Sequence, residues 1–201
     1  MTVAGEATAT IYEKKSEFIA YITHVESVRQ AGEYLAVLKK KYYDASHHCY
    51  AFSVKGEAVQ RQSDDGEPQK TAGMPILDVI KHSGLEDVMI VVIRYFGGTL
   101  LGTGGLVRAY GGAAQAALEK AEILVYKTCV DMDMQVEYSL YDKLISCAHT
   151  HGAKVISTDF TDTVSIKFRM ISGTQGPFLE DIRLITRGRQ PRISREFLDI
   201  F

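Results

Sequence analysis

The sequence predicts an α+β protein with a β-sheet and helix domain over residues 1–126 and a second domain over 127–201. Three observations carry this. Residues 88–93 are apolar at every position and hold five β-branched residues, the pattern of a strand covered on both faces. That strand runs into a glycine-rich loop and then a helix of small residues, the stretch 90–112 around which the first domain is organised. Beyond residues 123–127 the composition changes, and the remainder reads strand, helix, strand, strand, helix, strand, a ferredoxin-like order.

Taken in order, residues 8–25 alternate around Lys14, Lys15 and Ser16 as a hairpin, with Phe18, Ala20 and Ile22 on one face of its second arm. Ser27 with Gln30 three residues on has the spacing of a capping box. Val28, Ala31, Leu35, Leu38 and Tyr42 give the helix that follows an apolar stripe, and Lys39, Lys40 and Lys41 close it where cations suit the negative end of the dipole. A strand over 49–54 and a second over 58–62 lead to 63–73, which has almost no apolar residue and is a loop. Pro75 is placed as the first residue of a helix burying Ile76, Val79 and Ile80 and ended by Gly84. After the central strand, 106–121 is a helix with Gly111 and Gly112 inside it. Two interior glycines cost about 2 kcal/mol against alanine, so close approach of this helix to a sheet is expected to offset them.

In the second domain Val130, Met132, Met134 and Val136 alternate with polar residues as a half-buried strand. Ser139 with Asp142 caps a helix ending at Gly152; 154–160 and 163–170 form a hairpin; Pro177 opens a helix with Phe178, Ile182 and Ile185 inward; and 192–201 closes as a strand.

At 201 residues and 46% hydrophobic content the chain can bury two cores. Its longest apolar run, 88–93, is far below the roughly 20 residues that span a bilayer, so no membrane association is expected. The amino terminus has neither the basic start nor the apolar core of a secretory signal. Cys49, Cys129 and Cys147 are odd in number and none has the two-residue spacing of zinc and redox motifs. A cytoplasmic location follows as the expectation. A net charge of −2 argues against coating nucleic acid non-specifically, while a local basic face can still hold phosphates.

The glycine loop fails both standard nucleotide motifs. Gly97 and Gly102 have P-loop separation, but Thr103 stands where the lysine is required. Gly102 and Gly104 lack the third glycine of the dinucleotide fingerprint, Val107 standing in its place. What remains is a helix amino terminus, glycines that admit a ligand to the backbone, and the flanking Arg94 and Arg108. The same residues equally serve tight turns and close packing, with Arg94 paired to a carboxylate. The acidic loop holds Asp64, Asp65 and Glu67, either Mg²⁺ ligands or a solvated turn. His47 and His48 point to opposite faces of a strand, so one at most serves a given site as acid or base, the other reading being one buried and one exposed histidine. Cys49 reads as a nucleophile or a small core residue. Arg183, Arg187, Arg189, Arg192 and Arg195, with Lys167 and Arg169, are RNA contacts or a solvated surface.

Three segments, DASHHCYAF (44–52), SDDGEPQKTAGMPIL (63–77) and VVIRYFGGTLLGTGGLVRAYGGA (91–113), resemble the signature segments of the YigZ and IMPACT family. The resemblance covers 44–113. It implies a first domain of the type shared by ribosomal proteins and domain IV of elongation factor G, and a second similar to domain V. The family's shared polar set falls on His47, Asp64, Asp65, Glu67, Arg94 and Arg108, with Gly97, Gly98, Gly102, Gly104 and Gly105 as the loop. Many relatives have glycine where this chain has Lys70. The family's eukaryotic branch is associated with translational control through a regulator of an initiation-factor kinase, in proteins with an additional amino-terminal domain, so that partner is not carried over. The expectation is a non-catalytic, translation-associated module that binds RNA, the ribosome or a protein through its glycine loop, with no cofactor. The alternative is a hydrolase or phosphoryl-group enzyme holding Mg²⁺ on Asp64, Asp65 and Glu67, with His47 as acid or base.

Overall fold

The computed structural model describes residues 1–200, the side chain of Ile200 excepted; the predicted closing strand extends to Phe201, which lies outside the described residues. The chain forms two compact units, Met1–Leu124 and Val125–Phe201. Each is a mixed α and β unit.

The first unit runs β1 (Thr2–Val3), β2 (Ala7–Glu13), β3 (Ser16–His24), α1 (Val28–Lys41), β4 (His47–Val54), β5 (Val59–Ser63), α2 (Gly73–Ser83), β6 (Val88–Tyr95), α3 (Thr103–Lys120) and β7 (Ile123–Leu124). Five strands make one antiparallel sheet in the order β2-β3-β6-β4-β5. The apolar strand β6 is at its centre, and both its faces are buried. Phe18, Ala20, Ile22, Val88, Ile90 and Val92 pack with α2 and α3 on one side. Tyr21, Met89, Val91 and Ile93 pack with α1 on the other. The hairpin turns at Lys14 and Lys15, whose φ values of 44° and 69° give the two left-handed residues of a tight two-residue turn.

Local chemistry sets the helix starts. Ser27 Oγ accepts from Gln30 N at 3.1 Å, and the Gln30 side chain reaches back to Glu26 N at 2.7 Å, one residue before the partner expected of a capping box. Helix α2 begins at Gly73, two residues ahead of Pro75, because a distant carboxylate, Asp64, accepts from its first backbone N–H groups. Helix α3 begins at Thr103, three residues earlier than periodicity suggests, with Gly102 as its cap and no side chain bonded there. Gly111 and Gly112 correct an expectation. A Cβ at Gly111 would meet Pro75 Cβ at 3.8 Å, and one at Gly112 would meet Ile11 Cδ1 at 3.7 Å, both ordinary contacts. Close packing does not require either glycine.

The second unit runs β8 (Tyr126–Val136), α4 (Tyr138–Thr150), β9 (Lys154–Phe160), β10 (Val164–Ile171), α5 (Gly176–Ile185), β11 (Arg192–Ile193) and β12 (Phe197–Ile200). Its sheet has the order β11-β8-β10-β9, with β12 also on β8. This is the ferredoxin-like arrangement, in which the two strands of the central pair come from different halves of the chain. Met132, Met134, Val136, Val164, Ile166 and Phe168 face Leu144, Ala148, Phe178 and Ile182 of the two helices. The expected Ser139 cap is absent: α4 starts two residues earlier, at Tyr138 after Glu137, with no side-chain cap. The last strand is broken, and in the gap Ser194 Oγ accepts from Asp131 N at 2.9 Å.

Candidate functional site

A concave pocket of about 370 Å³ opens on the first unit, lined by His47, Glu67, Pro68, Arg94, Phe96, Leu101, Gly102 and Thr103 among others. Strand β6 delivers Arg94 at its end, where the register sets it opposite Phe18 of β3 and His47 of β4. The guanidinium is buried. Its Nη1 donates to Glu67 Oε1 at 2.6 Å, its Nη2 to Ser16 Oγ at 3.3 Å, and its Cζ lies 5.4 Å from the ring centroids of both Phe18 and Phe96. Tyr110 OH of α3 donates to the same Glu67 oxygen at 2.7 Å. Burial pushes the Tyr110 hydroxyl far up, and the neighbouring Cys49 and Glu67 push the same way. Arg94 is therefore charge-matched from within the fold.

His47 donates from Nδ1 to the Asp65 carbonyl at 2.9 Å, since a carbonyl can only accept. Its Nε2 then faces the pocket, 3.8 Å from Glu67 Oε1. His48 points the other way, buried, with Nε2 donating to the Tyr42 carbonyl at 3.1 Å. Burial holds its pKa below the ordinary histidine value. Cys49 is a core residue whose thiol burial pushes up to about 12, outside the range of a nucleophile at neutral pH.

The acidic loop divides its labour. Asp64 Oδ1 accepts from Ala72 N at 3.0 Å and Gly73 N at 2.8 Å, and Oδ2 from Lys70 N at 2.8 Å. Burial acts to raise the Asp64 pKa, but these three donors outweigh it and hold the carboxyl below its ordinary value. Asp65 accepts from His48 N at 2.7 Å and Lys39 Nζ at 3.0 Å. Only Glu67 enters the pocket. Among the described residues the three carboxylates do not form a set with ligand atoms within 4.8 Å of one another. Lys70 has φ of 64°, a left-handed conformation that glycine adopts without strain.

The glycines also differ. A Cβ on Gly97 would sit 2.0 Å from Lys15 O and 2.5 Å from Ser16 N, so its role is passage of one backbone against another. Gly98 and Gly102, at φ 79° and 74°, serve the turn. Gly104 and Gly105 belong to the first turn of α3, whose uncapped end meets the pocket at Gly102 and Thr103. Arg108, one turn further, is exposed and forms no ion pair among the described residues. Phe96 and Leu100 are 47% and 83% exposed. Sequence reasoning had not singled out Tyr110, Ser16, Phe96 or Leu100. A tyrosine at helical spacing reads as core, and only the register of β3, β6 and α3 makes it a partner of Glu67.

In the second unit Arg169 is bonded to Asp131 at 2.7 Å and to Asp199, Arg183 to Glu180 at 2.7 Å, and Lys167 lies 3.6 Å from Asp133. Arg187, Arg189, Arg192 and Arg195 are exposed without an ion pair among the described residues. No helix among those residues is long and apolar enough to cross a membrane.

Comparison with known proteins sets this geometry in a family. Residues 14–118 match the Impact N-terminal domain, and 134–189 match a domain of unknown function, DUF1949. An IMPACT family member of Haemophilus influenzae is 35% identical over 191 residues, 90% of this chain and 91% of that protein. The IMPACT family member YigZ of Escherichia coli is 33% identical over 187 residues, 90% and 92% of the two chains. A solved crystal structure of a hypothetical protein, 30% identical, superposes with a TM-score of 0.64 over 96% of this chain and 94% of that one. With the matched domain spanning the whole pocket and relatives aligned nearly end to end, the chain belongs to the IMPACT family.

Proposed function

We propose that this protein is a non-enzymatic, translation-associated module of the cytoplasm that binds structured RNA, on or off the ribosome, through the glycine loop and the start of α3. The observation that carries the reading is the contrast between the inside and the outside of the pocket. Inside, Arg94 Nη1 and Tyr110 OH donate to Glu67 and Arg94 Nη2 to Ser16, with only the Arg94 Nε left without a hydrogen-bond partner. Outside, the loop presents an exposed aromatic ring, Phe96, held over the Arg94 guanidinium, next to an uncapped helix amino terminus and Arg108, which has no ion pair among the described residues. A ring for base stacking beside donors for phosphate is the combination that single-stranded and looped RNA requires. The tie to translation rests on the resemblance set out above, which implies an association of the family's eukaryotic branch with translational control.

The alternative, a metal-dependent hydrolase or phosphoryl-group enzyme, retains His47 Nε2 at the pocket but loses its ligand set, because Asp64 and Asp65 are engaged by backbone and Lys39. The test is a salt titration of binding to labelled stem-loop RNA and to ribosomes. Phe96→Ala should weaken binding by about 1–3 kcal/mol. Arg108→Ala should lower the slope of log K against log salt by about one. Absence of binding at low ionic strength, or identical isotherms for both variants, would refute the reading.

A further inference from the structure

On α4, Cys147 and His151 stand one helical turn apart, and Asp181 of α5 reaches the same point. One ligand atom from each, the Cys147 sulfur, a His151 ring nitrogen and an Asp181 carboxylate oxygen, lies within 4.8 Å of the others. His151 Nε2 and Asp181 Oδ2 are 2.7 Å apart. This is the only set of three such side chains so gathered among the described residues. Cys147 is buried, while the side chains of His151 and Asp181 keep 21% and 50% exposure, so the set is closed on the core side and open to an ion on the other.

We propose that Cys147, His151 and Asp181 form a three-ligand site for a zinc-type divalent transition metal. A thiolate, an imidazole and a carboxylate together are the donors zinc takes, whereas Mg²⁺ and Ca²⁺ take oxygen and leave a sulfur unused. Zinc–ligand bonds of about 2.0–2.3 Å in a tetrahedron separate neighbouring donors by roughly 3.3–3.6 Å. The His151–Asp181 contact must therefore open by about half an ångström, and the sulfur must close by at most about an ångström. Side-chain rotation supplies both. His151 is the cap residue just past the last turn of α4, and its ring leans on Phe178 with centroids 5.8 Å apart, so the ring can turn without disturbing the helix. Cys147 enters as thiolate, and its proton passes to solvent as the metal–sulfur bond forms. Three protein ligands leave a fourth position to water. The site lies in the second unit and is independent of the RNA reading.

Cobalt(II), which takes zinc's ligands and absorbs light, is the probe for the full-length chain. One equivalent should bind, with a near-ultraviolet thiolate-to-cobalt charge-transfer band that Zn²⁺ then abolishes. Cys147→Ser should remove the band, and His151→Gln and Asp181→Asn should each weaken cobalt binding by about tenfold or more. His149→Gln, an exposed histidine of the same helix outside the set, should leave it unchanged. A wild-type chain without the band overturns the proposal, as do His151→Gln and Asp181→Asn proteins that bind cobalt as tightly as wild type.

Discussion

Replacing Glu67 by alanine should destabilise the first unit by about 3–5 kcal/mol, the range for removing one partner of a buried ion pair. The magnitude follows from the surroundings. The Glu67 and Arg94 side chains are 4% and 6% exposed and 2.6 Å apart, so solvent does little to screen them, and alanine leaves a buried guanidinium facing apolar walls and Phe18. Tyr110 loses its acceptor in the same step, a loss inside that range because the two bonds share one oxygen. Set against total stabilities of about 5–15 kcal/mol, the effect is large. Urea unfolding followed by circular dichroism reads it, within a double-mutant cycle with Arg94→Met. Glu67→Gln, which keeps an acceptor but no charge, should cost less than Glu67→Ala, and the coupling to Arg94 should reach about 2 kcal/mol or more. A Glu67→Ala cost below about 1 kcal/mol, with no coupling, would mean that the pair is solvated and that the pocket floor is not built as described.

Asp64→Asn should lower stability by about 1–2 kcal/mol at neutral pH, as for loss of a helix cap. Because the folded-state pKa of Asp64 is depressed below 3.8, its contribution is present above that pH and is lost as pH falls through the folded value; the variant should therefore lose less stability than wild type below about pH 4, measured by urea midpoints across pH. Gly97→Ala should cost about 3 kcal/mol, since the added carbon strikes the Lys15 and Ser16 backbone. Gly112→Ala should stabilise α3 by up to about 1 kcal/mol, since its carbon finds ordinary contact with Ile11; thermal melting of the two variants side by side separates backbone passage from mere helix cost.

The elements with one-dimensional signals were legible in the sequence. An unbroken apolar run marked β6 as the covered centre of a sheet, and the stripe from Val28 to Tyr42 marked the buried face of α1. The alternation from Val130 to Val136 likewise marked β8. What was not legible depends on register between distant segments. Arg94 lies 27 residues and Tyr110 43 residues beyond Glu67, so no spacing rule pairs them. Asp64 stood between a turn residue bonded to backbone and a metal ligand, because the density of acids is visible in the sequence and the Lys70, Ala72 and Gly73 donors that decide for the turn are not. Cys147 and His151 were missed for another reason. Cysteine spacing was compared only with other cysteines, although a cysteine and a histidine four apart on a helix already share a face.

The order β2-β3-β6-β4-β5 has a consequence for how the chain is made. During synthesis β3 and β4 leave the ribosome long before β6, yet the seat between them belongs to β6. Until residue 95 has emerged, the two hairpins share no edge, and their inward faces have nothing to close on. Glu67 waits for Arg94, and both wait for Tyr110 on α3. The pocket is thus completed late, with only the end of α3 and the pairing of β7 with β1 still to follow, and a vectorially growing chain acquires its contact surface when the first unit is nearly whole.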